Sequence, residues 1–450
     1  MNEYISSIVR YHLGRLGAGV EADRAERAKL YLLDCVGCML ASRQDCRKEL
    51  AFIAAMSPNK ECTVPGTGLR LSMPLAAFAG SVLASAQELD DATSVGASVH
   101  PGCCVIPAAL AAAERYGSSA DEFLGTILFG YDLCNRLGLL ATEKIRELGL
   151  YGPGVIAAPS AAAAAGALMG LTGEEVENAI SIALSMSPMC PFSAFTDGAD
   201  AKDLYAGWGT YLGVLAAQLA RGGSSGPEDV LDGEKSLGSI FSSGKGRDVP
   251  PGDSRYELAV QFKKYSGCLS VHATMEAIAA LRAAEEFSAD DIESVQVETY
   301  PYACDLDRLT GKLNAISARA SLAYTSAVML CTGKLGPEAF REEALSNPEY
   351  ISLMGRTKVG RLPGAQSGPF GGRDSQVTLT LRDGRILTGR YESAKNAGST
   401  LSPEELVDKF MCINKDSLES SRLRELAGII MNLDKGQSLK PLLDALCALN

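Results

Sequence analysis

Histidine is scarce in this chain: 450 residues hold only His12, His100 and His272. Metal centres draw on imidazole and thiolate at short spacing, and no His-x-x-x-His or paired Cys/His pattern is present. No metal is therefore expected. No Gly-x-Gly-x-x-Gly lies between a strand and a helix, so nicotinamide and flavin lack their signature, and no cofactor is expected. Basic excess is missing too. The 42 Lys and Arg face 54 Asp and Glu, for a net charge of −12. That argues against a nucleic-acid partner, whose phosphates need a concentrated basic surface. A small anionic substrate needs only one or two local cations and stays open. No apolar run reaches the roughly 18–20 residues that span a bilayer, so no membrane association is expected. The longest candidate, Val155 to Leu171, is mostly alanine with Pro159 inside it, and reads as a packed helix. The opening MNEYISSIVRYHLGRLG is interrupted by Arg10, His12 and Arg15 before an apolar core can form. Without a secretory pattern, the 13 cysteines are expected to be reduced thiols in a cytoplasm. Cys35 and Cys38 form a C-x-x-C inside a helical stretch, where core packing is the expectation.

Hydrophobic residues make up 46% of the chain and charged residues 21%, which fits a globular protein with room for two or three domains. The first 245 or so residues read as successive helices. Ala22 to Ser42 carries Leu30, Leu33 and Val36 at helical spacing, and Leu75 to Gln87 and Ile106 to Tyr116 are small-residue helices. Ser119-Ala-Asp-Glu and Thr172-Gly-Glu-Glu offer N-caps with first-turn acids for Phe123 to Leu137 and Val176 to Met186. Beyond Cys268 the texture changes. Val271 to Glu286 and Ser317 to Thr332 read as helices, and Glu293 to Tyr300 alternates as a half-buried strand. Asp383-Gly384 predicts a hairpin between Gln376–Arg382 and Arg385–Tyr391. Gly360 to Arg373 is a long glycine-rich loop, and helices resume after Ser402. The expected fold is mainly α with an α+β second domain. Residues 1–267 and 402–450 would form the helical domain, and 268–401 the smaller α+β part.

Four stretches could carry chemistry. In the first, Glu88, Asp90 and Asp91 precede His100, which is followed by Pro101-Gly102 and an alanine-rich helix. A carboxylate near an imidazole orients it and raises its basicity. The plainer reading is a structural histidine beside a solvated helix end. In the second, Lys202 heads a tightly packed segment with Tyr205 three residues on, where a lysine can bind a carboxylate or act as a base. An exposed lysine is its ordinary alternative. The third, Tyr151-Gly-Pro-Gly154, is a bend before an alanine helix whose amides could hold an anion, although Walker spacing is absent. The fourth is Lys263-Lys264-Tyr265 with Cys268 and His272, where a surface hinge before a core helix is an equal reading.

Taken in order, these pieces resemble the MmgE/PrpD family. The match runs through LDD, HPG and VIPAALAAAE, then AK-x-LYAG from Ala201, K-K-Y-x-x-C-x-x-x-H from Lys263, and S-x-x-Y from Ser321 to Tyr324. It continues to LRDGR and SPEELVDKF, so it covers essentially the whole chain. The resemblance implies a helical domain with a smaller α+β lid, a homodimer, a cleft between the domains, and neither metal nor organic cofactor. It implies proton chemistry alpha to a carboxylate on a small di- or tricarboxylate. Carried over by position, His100 matches the family's HP-motif histidine, Lys202 its active-site lysine, Lys263 its lid lysine and Tyr324 its S-x-x-Y tyrosine. Three positions depart from the pattern: Glu88 stands for an aspartate, Tyr151 for a histidine, and Cys268 for the histidine of decarboxylases. A phenol with a pKa of about 10 cannot serve as a base at pH 7 unless strongly depressed.

These readings give three functional expectations. One is a cofactor-independent lyase with His100, Lys202, Tyr151 and Tyr324 as catalytic residues, and Glu88, Asp91, Lys263, Cys268 and His272 around the substrate. Another is an epimerase of an α-substituted dicarboxylate, with Lys202, Tyr151 and His100 exchanging one proton. The last is a family member that binds a carboxylate without turning it over.

Overall fold

The computed structural model describes residues 3–16, 18–94, 98–244, 247, 250–307, 312–366, 372–393 and 401–449. Five positions of the glycine-rich loop, 367–371, lie outside the described residues. The fold is mainly helical, with mixed sheet and helices in the C-terminal region. The chain divides into two compact units: 1–191, 203–262 and 401–450 form one, and 192–202 with 263–400 the other. The second unit takes in Phe192–Lys202 and resumes at Lys263, whereas the sequence places the change at Cys268.

The first unit is helical because its sequence supplies both apolar periodicity and helix starts. Ser119 and Thr172 each accept a hydrogen bond from the N–H three residues on, and Glu122 and Glu175 reach back, giving reciprocal caps. Ser402 and Glu405 repeat the device at Pro403–Asn414. These caps open Ala120–Glu147 and Gly173–Ser185, and the first of them runs ten residues past its expected end at Leu137. Helix Gly152–Leu168 is buried almost throughout. Alanine and glycine let it lie close to helix Ala201–Arg221. A Cβ on Gly213 would sit 2.2 Å from the carbonyl oxygen of Ala158, so no larger residue fits that crossing. The last three helices return to the same core, where Phe410, Leu423, Leu426 and Ile430 pack in one apolar cluster with Ile8, Leu32 and Phe123.

The second unit has its own core. Its central strand, Ile292–Thr299, runs antiparallel to Ser375–Leu381, which forms the expected hairpin with Ile386–Tyr391. The other edge is Thr357–Arg361, parallel to the central strand with Val297 opposite Val359. Val295, Val297, Val377 and Leu379 share the buried face, and helix His272–Ala284 packs against it. The helix expected from Ser317 to Thr332 is two pieces, Ala315–Ala318 and Leu322–Thr332. Among the described residues no helix is long and apolar enough to cross a membrane.

Candidate active site

The acidic run is folded back on itself. Ala92–Thr93 pairs antiparallel with Val260–Gln261, and the Thr93 N–H donates to the Val99 carbonyl at 3.1 Å. That closure brings Asp90 and Asp91 against the start of helix Pro101–Tyr116. The expected Pro-Gly break is the first turn of this helix: Pro101 fills a position where a missing N–H costs nothing, and His100 is its N-cap residue.

Asp90 and Asp91 have separate duties. Asp90 Oδ2 lies 3.1 Å from His100 Nδ1, with 14% of the histidine side chain exposed and 3% of the aspartate. The contact is not aligned as a hydrogen bond. Asp91 is turned inward. It accepts from the Gly102 N–H at 2.9 Å and from the Tyr131 phenol at 2.7 Å, which holds the helix N-terminus in place. Burial, then the charge of Asp34, pushes the Asp91 carboxyl up to about 7, against the pull of those two donors. Behind this wall Lys409 donates to Asp34 at 2.6 Å and to the Leu89 carbonyl at 2.8 Å.

Glu88 occupies the turn after helix Met73–Ser85, its N–H on the Ser85 carbonyl and its φ at +49°. A left-handed backbone costs a residue with a Cβ about 1–2 kcal/mol. Its buried carboxylate accepts a hydrogen bond from the Tyr151 phenol at 3.2 Å. Two of the three departures from the family pattern are thus partners in space. Tyr151 is the N-cap residue of helix Gly152–Leu168, whose first turn is the glycine-rich bend, and its N–H donates to the Cys190 carbonyl at 2.7 Å. A Cβ on Gly152 would stand 2.7 Å from the Ser98 carbonyl oxygen. This close approach seats Tyr151 beside the segment that carries His100.

The second unit holds the other candidates. Lys202 is buried, its ammonium 4.8 Å from the centre of the Phe195 ring, and Lys263 is fully buried. Buried ammonium groups persist where anions or carbonyl oxygens compensate them. Cys268 is half-buried, with its N–H on the Arg319 carbonyl, and His272 opens helix His272–Ala284 with its ring edge-on to Tyr265 at 5.5 Å. Tyr324 differs from expectation. Its side chain is fully enclosed and its phenol donates to the Ala339 carbonyl at 2.6 Å. The S-x-x-Y motif itself is a helix cap: the Ser321 hydroxyl accepts from the Tyr324 N–H at 3.2 Å.

Two groups escaped the sequence reading. Asp34 and Tyr131 support the acidic wall from helices far away in the chain, and only a lone acid on the apolar stretch LYLLDCVGC signals the first. The other is His12, Asp132 and Glu257, whose candidate ligand atoms all lie within 4.8 Å of one another, the one metal-compatible group among the described residues. Arg136 donates to Asp132 at 2.6 Å and Arg24 pairs with Glu257, so two guanidiniums already offset both carboxylates. A divalent cation would add charge where none is owed, and the group fits a buried salt-bridge network. Burial raises the thiols of Cys35, Cys38 and Cys103 well above their ordinary range, as suits packing groups rather than nucleophiles.

Residues 15–249 match the MmgE/PrpD N-terminal domain and 265–435 the MmgE/PrpD C-terminal domain. A cis-aconitate decarboxylase of Aspergillus terreus is 27% identical over 95% of this chain and 92% of its own length. The cis-aconitate decarboxylase of Homo sapiens is 26% identical over 93% and 89%. A cis-aconitate decarboxylase-like protein of Aspergillus oryzae is 24% identical over 94% and 93%. With both family domains matched across most of its length, the chain belongs to the MmgE/PrpD family.

Proposed function

We propose that this protein is a cofactor-independent lyase, of dehydratase or decarboxylase type, acting on a small di- or tricarboxylate. The reaction moves a proton at a carbon alpha to a carboxylate. The observation that carries the reading is His100 held 3.1 Å from Asp90 in a buried acidic wall, in a chain related to enzymes named for a tricarboxylate. An imidazole beside a carboxylate is the kind of side chain that gives and takes a proton in general acid–base catalysis.

His100 and Tyr151 are the proton carriers in this proposal. Lys202 and Lys263 supply positive charge for substrate carboxylates, with Cys268 and His272 lining the substrate near Lys263. Asp91 is assigned to holding the helix under His100, because both its oxygens are engaged there. Tyr324 is assigned to packing, because its phenol is enclosed and bonded to Ala339. The homodimer belongs to the same proposal, and light scattering of the purified protein tests it.

An epimerase is the second reading. It is favoured by the presence of two chemically different proton carriers, His100 and Tyr151, in one unit. Proton NMR in D2O on citrate, aconitate, tartrate and aspartate derivatives separates the readings. Loss of water or carbon dioxide supports the lyase. Deuterium entering an intact skeleton makes the protein an epimerase. Thermal stabilisation by a carboxylate with no exchange would leave a binding protein and overturn both. In the lyase, His100→Ala lowers kcat by about 100-fold or more.

A further inference from the structure

The Glu88–Tyr151 contact answers a chemical difficulty. A phenol is a poor base at neutral pH, yet Tyr151 stands where the family pattern has a histidine. Resting on the lyase reading above, we propose that Tyr151 and Glu88 form a two-step proton relay, in which the phenol touches the substrate and the carboxylate behind it takes the proton. Tyr151 is then the catalytic residue and Glu88 its positioning and accepting partner, not a substrate ligand.

The geometry supports this order. The phenol donates to Glu88 Oε1, and a phenolic oxygen is both a donor and an acceptor. As the substrate C–H bond breaks, its proton passes to the Tyr151 oxygen while the phenolic O–H proton passes to Glu88. The phenol begins and ends neutral, Glu88 becomes a carboxylic acid, and the electron pair stays on the carbon alpha to the carboxylate. In a dehydration that pair forms the double bond as hydroxide leaves with a proton from protonated His100. Glu88 then returns its proton to solvent and His100 regains one. In a decarboxylation the same path runs backwards, from protonated Glu88 through Tyr151 to the carbanion, as the C–C bond releases carbon dioxide.

Two further observations point the same way. Glu88 and Ser98 are the non-glycine residues with positive φ among those described, at +49° and +26°, and they bracket the segment leading to His100. Strain of this kind persists where surrounding structure enforces it, and it gathers at functional sites. Ser98 is also the residue whose carbonyl meets the Gly152 backbone, so both strained positions border Tyr151. The 3.2 Å separation is long for an O–H···O bond, as resting catalytic hydrogen bonds often are.

The test is steady-state kinetics of the full chain on the carboxylate that the unaltered protein turns over in the NMR panel. Glu88→Gln keeps the size and the hydrogen-bond acceptor but cannot take the proton. It and Tyr151→Phe should each lower kcat by about 10²–10⁴-fold with little change in KM. The double variant should be no slower than either single one, since the two act as a unit. Glu88→Asp, which keeps a carboxylate, should recover much of the rate. Full activity in Glu88→Gln, or losses that multiply in the double variant, would overturn the relay alone. If Glu88→Gln fails to fold, the kcat loss in Tyr151→Phe together with recovery in Glu88→Asp is required instead, and full activity in Tyr151→Phe overturns the relay. Absence of any turnover by the unaltered protein overturns the lyase reading and the relay with it.

Discussion

Tyr131 donates its phenolic proton to Asp91 at 2.7 Å, and the pair is buried 40 residues apart in the chain. One oxygen of Asp91 serves Tyr131 and the other the Gly102 amide, so the carboxyl links two long helices beneath His100.

That carboxyl makes the fold sensitive to pH. Burial raises it from its ordinary 3.8 to about 7, and burial likewise raises Glu257 from 4.5 to about 7. In the unfolded chain both ionise at lower pH than in the folded one. Their contribution to stability is therefore fully present below about pH 4 and is lost as pH rises through 7. Asp91→Asn removes one of the two titrations. Its melting temperature should fall less between pH 5 and pH 8 than that of the unaltered protein, and equal slopes in a pH series of thermal melts would contradict this.

Lys409 and Asp34 form a buried ion pair, with 7% and 1% of their side chains exposed. Lys409→Ala would take the ammonium away from the buried Asp34 carboxylate and from the Leu89 carbonyl. A loss of about 3–5 kcal/mol is expected in urea denaturation. Replacing both partners by apolar residues of similar volume should restore most of it.

Tyr324→Phe deletes only the hydroxyl that donates to Ala339. Stability should fall by about 1–2 kcal/mol, because a buried carbonyl loses its partner. The kcat should be unchanged. A tenfold loss of kcat in a well-folded variant would return Tyr324 to the catalytic group.

Gly152→Ala places a methyl 2.7 Å from the Ser98 carbonyl, and the backbone must shift to admit it. A displacement near 1 Å at the Tyr151 end of the helix is expected to lower kcat by about 100-fold. Gly173→Ala, with nothing within 4 Å of the added carbon, is the matched control and should leave the rate unaltered.

Much of the architecture was legible because its causes are local. Ser119, Thr172 and Ser402 start helices through bonds spanning three residues, and Arg382, Asp383 and Gly384 turn a hairpin closed by Leu381 and Arg385. Ala22–Ser42 was read to the residue, since its apolar periodicity is uninterrupted. Thr357–Arg361 was missed: it lies at a sheet edge with an irregular burial pattern, and its pairing partner is some 60 residues away. The sequence also marked candidates for chemistry, because a histidine, lysines and clustered acids stand out against an alanine-rich background.

Chain order could not assign those residues their partners. Asp90 and Asp91 are neighbours, yet only the fold turns one toward His100 and the other toward Tyr131. Tyr324 read as a site residue and lies enclosed beneath a carbonyl. Glu88 and Tyr151 looked like two separate departures, and tertiary structure makes them one hydrogen-bonded pair across 63 residues. The reason is physical: caps and turns are settled by groups within a few bonds of one another, whereas the environment of a titratable side chain is set by whatever packing brings beside it.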